Sequence, residues 1–165
     1  MTEACVGCGA AVETIEGPVH RYMTASPGCW ARYGELLAVL SAYPALQVAR
    51  QCCVDAYAAQ HPGTDTPQAI QSVALHLVSL CSYLKLGRPV TDSQDVIRRL
   101  LRHKDAYKRL QTPSFASTRT IVDMPATIPP AMIPAEARAW AQSVWAAWLP
   151  HHAQVAEWYA AYGAS

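Results

Sequence analysis

The stretch TPQAIQSVALHLVSLCSYL, residues 66–84, decides the fold. Drawn as a helix, it carries apolar side chains on nearly every side, and Thr66 followed by Pro67 is a typical helix start. A helix that is apolar almost all round needs other helices on most of its sides. The stretch therefore predicts a central helix, and with it an all-α bundle.

The segments on either side of this stretch supply the other helices. Apolar residues recur at three- and four-residue steps over 29–43, 44–61, 91–110 and 135–163, and Pro150 predicts a kink or restart in the last of these. Thr91, with Gln94 three residues later, predicts a capping box. Residues 111–134 contain five prolines, which exclude a continuous helix and predict a strap, a lid or a docking segment.

The length of 165 residues fits one domain. We divide it into a short irregular N-terminal appendage over 1–28, a four-helix core over 29–110, the proline-rich strap over 111–134 and a C-terminal helix over 135–163. Strand signals are nearly absent. The sequence thus predicts a bundle of about five helices, with the N-terminal appendage ordered by something other than a core of its own.

The amino-acid composition narrows the range of possible functions. The chain has six cysteines and six histidines but is only 15% charged, so metal-ligand residue types are plentiful. A net charge of +1 argues against binding nucleic acid by whole-chain electrostatics. No apolar run reaches the roughly 18 residues of a membrane span, and no secretory leader is visible. We therefore expect a cytoplasmic protein whose cysteines are thiols or metal ligands.

The sharpest motif is Cys5-Val6-Gly7-Cys8-Gly9. Two thiolates three positions apart can hold one tetrahedral ion, and the glycines let the turn aim backbone N–H groups at the sulfurs. Cys29 follows a Pro-Gly break in the first turn of a helix, where the helix dipole stabilises a thiolate. With His20 as the fourth ligand, these residues predict a structural zinc site of three cysteines and one histidine.

This arrangement resembles treble-clef zinc fingers, in which a knuckle and the first turn of a helix share one ion. The resemblance covers Cys5 to about Tyr33. It departs from the pattern because such fingers usually draw two cysteines from the helix turn, whereas Cys29 stands alone there. Two other interpretations stay open: a redox-active Cys-x-x-Cys pair, and cysteines that only fill buried space.

A second group of polar residues lies inside the predicted bundle. His76 shares a narrow polar line with Ser72 and Ser79 on the central helix, while His61 ends the preceding helix and Asp55 lies within it. Antiparallel packing can bring these residues together in a polar pocket with room for a small ligand. Asp55, His61 and His76 are accordingly the candidate catalytic residues.

The alternative function is a metal-dependent hydrolase or transferase. Its metal would be held by His61, His76 and one of His151 or His152, with Asp55 or Glu35 as the base and the proline-rich strap as the lid. No His-x-x-x-His or Glu-x-x-His spacing supports it within one helix. The opposing interpretation is that His76 is a hydrogen-bonded core residue, that His61 stabilises a helix C-terminus and that His151-His152 are half-exposed.

Two remaining features point to no specific site. Six basic residues fall between 98 and 109, yet no aromatic residues alternate with them as base stacking requires. A polyanion-binding module stays open on their account, whereas nucleic acid is disfavoured. Cys52, Cys53 and Cys81 lie in predicted helices and are interpreted as core residues, as is the tryptophan stripe of the last helix.

One resemblance spans most of the chain. Its residues are Cys5-x-x-Cys8-Gly9, His20, Pro27-Gly28-Cys29-Trp30, Asp55-Ala56-Tyr57-Ala58-Ala59-Gln60-His61-Pro62-Gly63 and His76-Leu77. The run is similar to a family of small, uncharacterised bacterial proteins classed as a domain of unknown function. The resemblance implies a bacterial, cytoplasmic setting and a single site that includes Asp55, Gln60, His61 and His76. It brings no activity with it.

Overall fold

A computed structural model of the chain describes residues 1–125 and 127–164. The predicted all-α architecture is confirmed, with six α-helices in that part of the chain and one small hairpin that was not expected. The strands are β1 (Thr2–Ala4) and β2 (Ala11–Glu13), and the helices are α1 (Pro27–Ala42), α2 (Gln47–Gln60), α3 (Pro67–Leu80), α4 (Ser93–Leu100), α5 (Ile133–Ala147) and α6 (His152–Trp158).

The core lies where α2 packs against α3 and α5. Helix α3 is buried along most of its length, as its composition predicts, and Leu77 and Leu80 are fully enclosed. Helix α2 is equally central, although its sequence is far less apolar. Its alanines allow close approach to α5, whose Trp140 is also fully buried. A helix with several polar residues can be central because those residues find partners inside the protein.

The hairpin orders the N-terminus. Strands β1 and β2 are antiparallel, with Thr2 opposite Glu13 and Ala4 opposite Ala11. The connecting turn is the cysteine knuckle, closed by hydrogen bonds from the Cys5 N–H to the Ala10 carbonyl (2.8 Å) and from the Gly9 N–H to the Cys5 carbonyl (2.9 Å). Three-residue strands give only a weak sequence signal, and two such strands are barely stable alone.

The fourth helix is shorter than expected, and the last predicted helix is divided at its proline. The fourth ends at Leu100 and continues only as a 3-10 segment, Leu101–Ala106, with His103 outside helical geometry. Its expected capping box does not form: Thr91 lies in a short 3-10 turn, and Gln94 instead donates to Gln51 Oε1 at 2.5 Å. In the last segment Pro150 does mark a restart, between α5 and α6.

The proline-rich segment is a packed strap in the part that the structure describes. Ile121 and Met124 are buried in the core. The side chain of Gln60 donates to Thr118 Oγ1 at 2.7 Å and to the Arg119 carbonyl at 2.6 Å, which fixes the strap to the end of α2. Within the described residues, no helix has both the length and the apolar content needed to span a membrane.

Candidate metal centre

Four ligand atoms converge at one buried point. They belong to Cys5, Cys8, Cys29 and His61, and all lie within 4.8 Å of one another. None of the four residues is more than 3% exposed. They come from three distant parts of the chain: the hairpin turn, the start of α1 and the end of α2. Only tertiary packing can assemble such a group.

The hairpin turn positions Cys5 and Cys8 and needs its glycines. Gly9 has φ of 77°, a left-handed conformation that glycine adopts without strain. Gly7 packs so closely that a Cβ there would lie 2.0 Å from the Thr24 carbonyl oxygen and 2.7 Å from Cδ2 of His61. The knuckle glycines therefore allow both the turn and its contact with the histidine ligand.

The start of α1 supplies the third sulfur. Pro27 and Gly28 open the helix, so Cys29 falls in its first turn, as the sequence predicts. A Cβ on Gly28 would lie 2.0 Å from the Glu13 carbonyl oxygen, which shows how tightly β2 rests on this turn. Just before the helix, the Ser26 N–H donates to Cys5 Sγ at 3.5 Å. A backbone N–H that donates to the sulfur in this way stabilises a thiolate ligand.

The end of α2 supplies the nitrogen. His61 Nδ1 donates to the Tyr57 carbonyl oxygen at 2.6 Å, which turns Nε2 toward the sulfurs, 3.4 Å from Cys29 Sγ and 3.6 Å from Cys5 Sγ. The Tyr57 ring stacks on the imidazole with centroids 3.9 Å apart, and its hydroxyl donates to Cys29 Sγ at 3.6 Å. A metal-binding histidine is commonly oriented in this way, through the ring nitrogen that does not bind the ion.

The spacing of the ligand atoms fits a tetrahedral ion. With Zn–S near 2.3 Å and Zn–N near 2.0–2.1 Å, tetrahedral angles place two sulfurs about 3.8 Å apart and a sulfur and a nitrogen about 3.6 Å apart. The structure has 3.9 Å between the sulfurs of Cys8 and Cys29, and 3.4 and 3.6 Å from His61 Nε2 to two sulfurs. The donor set can therefore hold one ion with little movement.

The electrostatics of the site also favour a cation. Hydrogen bonding from Cys29 and Cys8 holds the pKa of Cys5 far below its usual value, while the same crowding and burial raise the pKa of Cys29. Burial alone would lower the pKa of His61, but hydrogen bonds to Cys5 and Cys8 outweigh it and raise that pKa to about 9. Three sulfurs this close together are stabilised as thiolates by nearby positive charge, which a divalent ion supplies.

His20, predicted as the fourth ligand, is not part of this group. Its Nδ1 accepts the N–H of Tyr22 at 3.4 Å, and its ring packs edge-on against Tyr22 and Trp30. His61 takes the expected place because the end of α2 packs against the knuckle. The sequence signal for His61 was its position at a helix terminus. Proximity along the chain to Cys8 and Cys29 favoured His20 instead.

The residues expected to form one interior site fall into three places. Asp55 accepts a hydrogen bond from His76 Nδ1 at 2.8 Å, as the polar pocket predicts, but His61 belongs to the cysteine group. Gln60 is fully buried, and its Oε1 accepts the indole N–H of Trp140 at 2.9 Å. The family resemblance had placed all four polar residues together, and the structure separates them.

The alternative hydrolase site is not assembled. His151 Nε2 donates to the Gln111 carbonyl and His152 Nε2 to the Trp145 carbonyl, each at 2.8 Å, while Glu35 pairs with Arg32 on the surface. Outside the cysteine group, the described residues hold no further set of three His, Cys, Asp or Glu side chains that converge.

The other cysteines and basic residues have structural surroundings. Cys52, Cys53 and Cys81 are buried and unpaired by disulfides, as core residues should be, and burial raises the pKa of Cys52 to about 11. Two arginines of the basic segment are used inside the molecule: Arg99 donates to the Gly163 carbonyl and Arg109 to the Gly63 carbonyl. Arg102, Lys104 and Lys108 of the same segment are exposed.

Comparison with known proteins adds a family but no activity. None of the curated proteins or solved structures searched matches the chain. A family model described as "Family of unknown function (DUF5946)" matches residues 3–149, a range that includes all four converging ligands. On that match, the chain belongs to this family of unknown function.

Proposed function

We propose that this protein binds one structural Zn²⁺ through Cys5, Cys8, Cys29 and His61. The observation that carries the proposal is the convergence of these four ligand atoms within 4.8 Å at a buried point. Three sulfurs and one nitrogen in tetrahedral spacing form a donor set typical of structural zinc. Bound there, zinc would supply the positive charge that lets three thiolates lie side by side.

A structural role fits better than a catalytic one at this site. Catalytic zinc usually has three protein ligands and keeps a fourth position for water or substrate, whereas this site has four protein ligands. Its ligands are nearly inaccessible to solvent. The residues around it serve the ligands: Tyr57 orients His61, and Ser26 donates to a sulfur. Cys5 and Cys8 do line an open surface depression of about 660 Å³ between the knuckle and the strap. Four protein ligands would nevertheless leave no coordination position for a substrate.

The ion would join three segments that are distant from one another along the chain. The hairpin is too small to be stable alone, and its knuckle contributes two of the four ligands. Cys29 and His61 belong to α1 and α2, so a bound ion fixes the hairpin to both helices. The six free thiols suit a reducing compartment, which we take to be a bacterial cytoplasm.

Elemental analysis of protein purified without added metal tests the proposal. We expect about one zinc per chain in the wild type, and a loss of most of it in Cys29→Ser and His61→Asn. The matched controls are Cys52→Ser, a buried thiol outside the site, and His20→Asn, the histidine first expected to be a ligand. Both controls should keep their zinc.

Tetrahedral coordination has its own readout. Replacing zinc by Co²⁺ should give the intense ligand-field bands of a tetrahedral site together with sulfur-to-cobalt charge transfer, and both signals should weaken in His61→Asn. A folded wild-type protein that holds no zinc and takes up no cobalt would exclude the proposed site. Retention of metal by His61→Asn with loss from His20→Asn would replace His61 by His20 as the fourth ligand.

A further inference from the structure

A second, metal-independent centre surrounds a buried carboxylate. Asp55 is wholly enclosed and accepts four hydrogen bonds, from Gln51 Nε2 at 3.0 Å, His76 Nδ1 at 2.8 Å, Ser79 Oγ at 2.7 Å and the Tyr83 hydroxyl at 3.2 Å. Among the described residues, His76 is the one side chain able to carry a positive charge within ion-pair distance of this carboxylate. Asp55 is thus held rigidly behind the imidazole.

This arrangement fixes the tautomer of His76. A carboxylate only accepts hydrogen bonds, so Nδ1 must carry the proton and Nε2 of the neutral ring has a free lone pair. No group in the described part of the chain hydrogen-bonds to Nε2 of His76, whose side chain is 17% exposed. Of the described histidines, His76 is the one held by a carboxylate, which leaves the opposite ring nitrogen as a hydrogen-bond acceptor.

His76 lines an open surface groove of about 260 Å³, between α3 and the loop that precedes α1. No Asp, Glu, Lys or Arg is among the described residues that line it. Part of the wall is apolar and part carries amide and hydroxyl groups; it includes Met23, Leu75, Leu101, Gln68, Gln71 and Ser72. We call this space the His76 groove. Its volume is just below the roughly 300–1,000 Å³ of pockets for drug-sized ligands.

A second imidazole completes the polar side of the groove. His20 also lines it, and its Nδ1 accepts the N–H of Tyr22. Burial lowers the pKa of His20, so its ring is neutral near pH 7 and carries its proton on Nε2. The groove therefore offers an acceptor on His76 and a donor on His20. A hydroxyl group, which both donates and accepts, complements the two.

We propose that the His76 groove binds a small uncharged ligand with a hydroxyl group on an apolar body, and that Nε2 of His76 accepts a hydrogen bond from that hydroxyl. The lack of charged wall residues selects an uncharged ligand, and the apolar wall selects its body. The O–H bond of the ligand stays intact, and the Asp55 carboxylate holds the imidazole in the tautomer whose Nε2 can accept. Asp55 acts as a positioning residue, because the groove residues separate it from any ligand.

Phenol is the probe for this site, since it carries a hydroxyl on an apolar ring and is uncharged at neutral pH. The imidazole ¹⁵N signals of the labelled, zinc-loaded full chain are followed during titration. We expect a saturable shift of His76 Nε2. Toluene, which lacks the hydroxyl, should bind at least about tenfold more weakly, because it cannot donate to the imidazole.

Three variants separate the effect on ligand binding from an effect on folding. His76→Gln can still donate to Asp55, so it should keep its fold and its zinc while losing about tenfold in phenol affinity. His103→Gln, which changes a histidine outside the groove, should leave phenol binding unchanged. Asp55→Asn should shift His76 away from the tautomer with the proton on Nδ1, a spectral change that loss of packing alone does not produce.

Three results would overturn this proposal. They are the absence of a saturable His76 shift up to the solubility of phenol, equal affinity for toluene and phenol, and unchanged phenol affinity in His76→Gln. The zinc content of each sample is measured alongside. The zinc site and the groove can therefore fail independently.

Discussion

The protein has two polar centres, each organised by a histidine whose Nδ1 is fixed by an acceptor on α2. At the cysteine centre the acceptor is the Tyr57 carbonyl, and Nε2 of His61 faces three sulfurs in a buried space. At the other centre the acceptor is the Asp55 carboxylate, and Nε2 of His76 has no partner among the described residues. The same orienting contact thus produces one closed site and one open site.

The acceptor explains part of this difference. A neutral carbonyl orients an imidazole without adding charge, which suits a ligand whose ion already balances three thiolates. A buried carboxylate instead fixes the tautomer of the neutral imidazole and leaves the opposite nitrogen as an acceptor, which suits a histidine that binds a ligand. The two centres should therefore respond differently to metal removal, to truncation and to conservative substitution.

Metal removal is expected to have the largest effect, and it should affect only the cysteine centre. Stripping zinc with a chelator should lower the free energy of unfolding by about 5 kcal/mol or more, because the ion joins three segments and its binding energy becomes folding energy. Thermal denaturation with and without chelator measures this as a fall of roughly 10–20 °C. Chelation of Cys29→Ser should change little, since that variant has no ion to lose.

Truncation of the carboxylate should have the next largest effect. Asp55→Ala leaves four donors without an acceptor, three of them on buried residues, so we expect it to cost about 3–5 kcal/mol while the zinc content stays at one per chain. Denaturant unfolding combined with metal analysis tests both parts. If Asp55→Ala also loses zinc in its folded state, the two centres are coupled through α2 and the distinction between them is wrong.

These predictions depend on contacts of two kinds. Some follow from local sequence patterns, and others form only in the tertiary structure. The helices were predictable because apolar periodicity is a local property, and Cys5, Cys8 and Cys29 were recognisable because a knuckle and a helix start are local motifs. His61 lies 32 residues beyond Cys29, and its position at a helix terminus does not associate it with the cysteines. Its role depends on how the end of α2 packs against the hairpin, which only the tertiary structure determines.

The centre around Asp55 and His76 could also be predicted only in part from the sequence. The polar line on α3 predicts that His76 meets polar partners, and it does. Sequence spacing on a helical wheel does not say which residues of the facing helix those partners are, so Asp55 and His61 seemed equally available. Asp55 lies within α2, whereas His61 follows the last residue of that helix in a non-helical conformation, so the two side chains have different neighbours. The hairpin was missed because three-residue strands have almost no periodic signal.

A substitution in the knuckle should have an intermediate effect that is confined to the cysteine centre. In Gly7→Ala the new methyl group would meet the Thr24 carbonyl and the His61 ring, so the knuckle must move away from its fourth ligand. We expect a loss of about 2 kcal/mol in stability and weaker zinc retention during competition with a chelator. Gly34→Ala is the control: nothing lies within 4 Å of its Cβ, and as a helical site it should gain about 0.5–1 kcal/mol. Equal zinc retention in the two variants would contradict this.

The smallest effect on stability is expected for His76→Gln. The glutamine amide can replace the Nδ1–H donor to Asp55, so all four hydrogen bonds to the carboxylate can persist. The free energy of unfolding should therefore change by less than about 1 kcal/mol. The substitution removes only the second ring nitrogen, which supports no contact within the described chain. A loss of several kcal/mol would show that the imidazole is there for packing. A nearly unchanged free energy of unfolding, together with lost phenol binding, would mean that the Asp55 carboxylate positions His76 so that its Nε2 can bind a ligand in the groove.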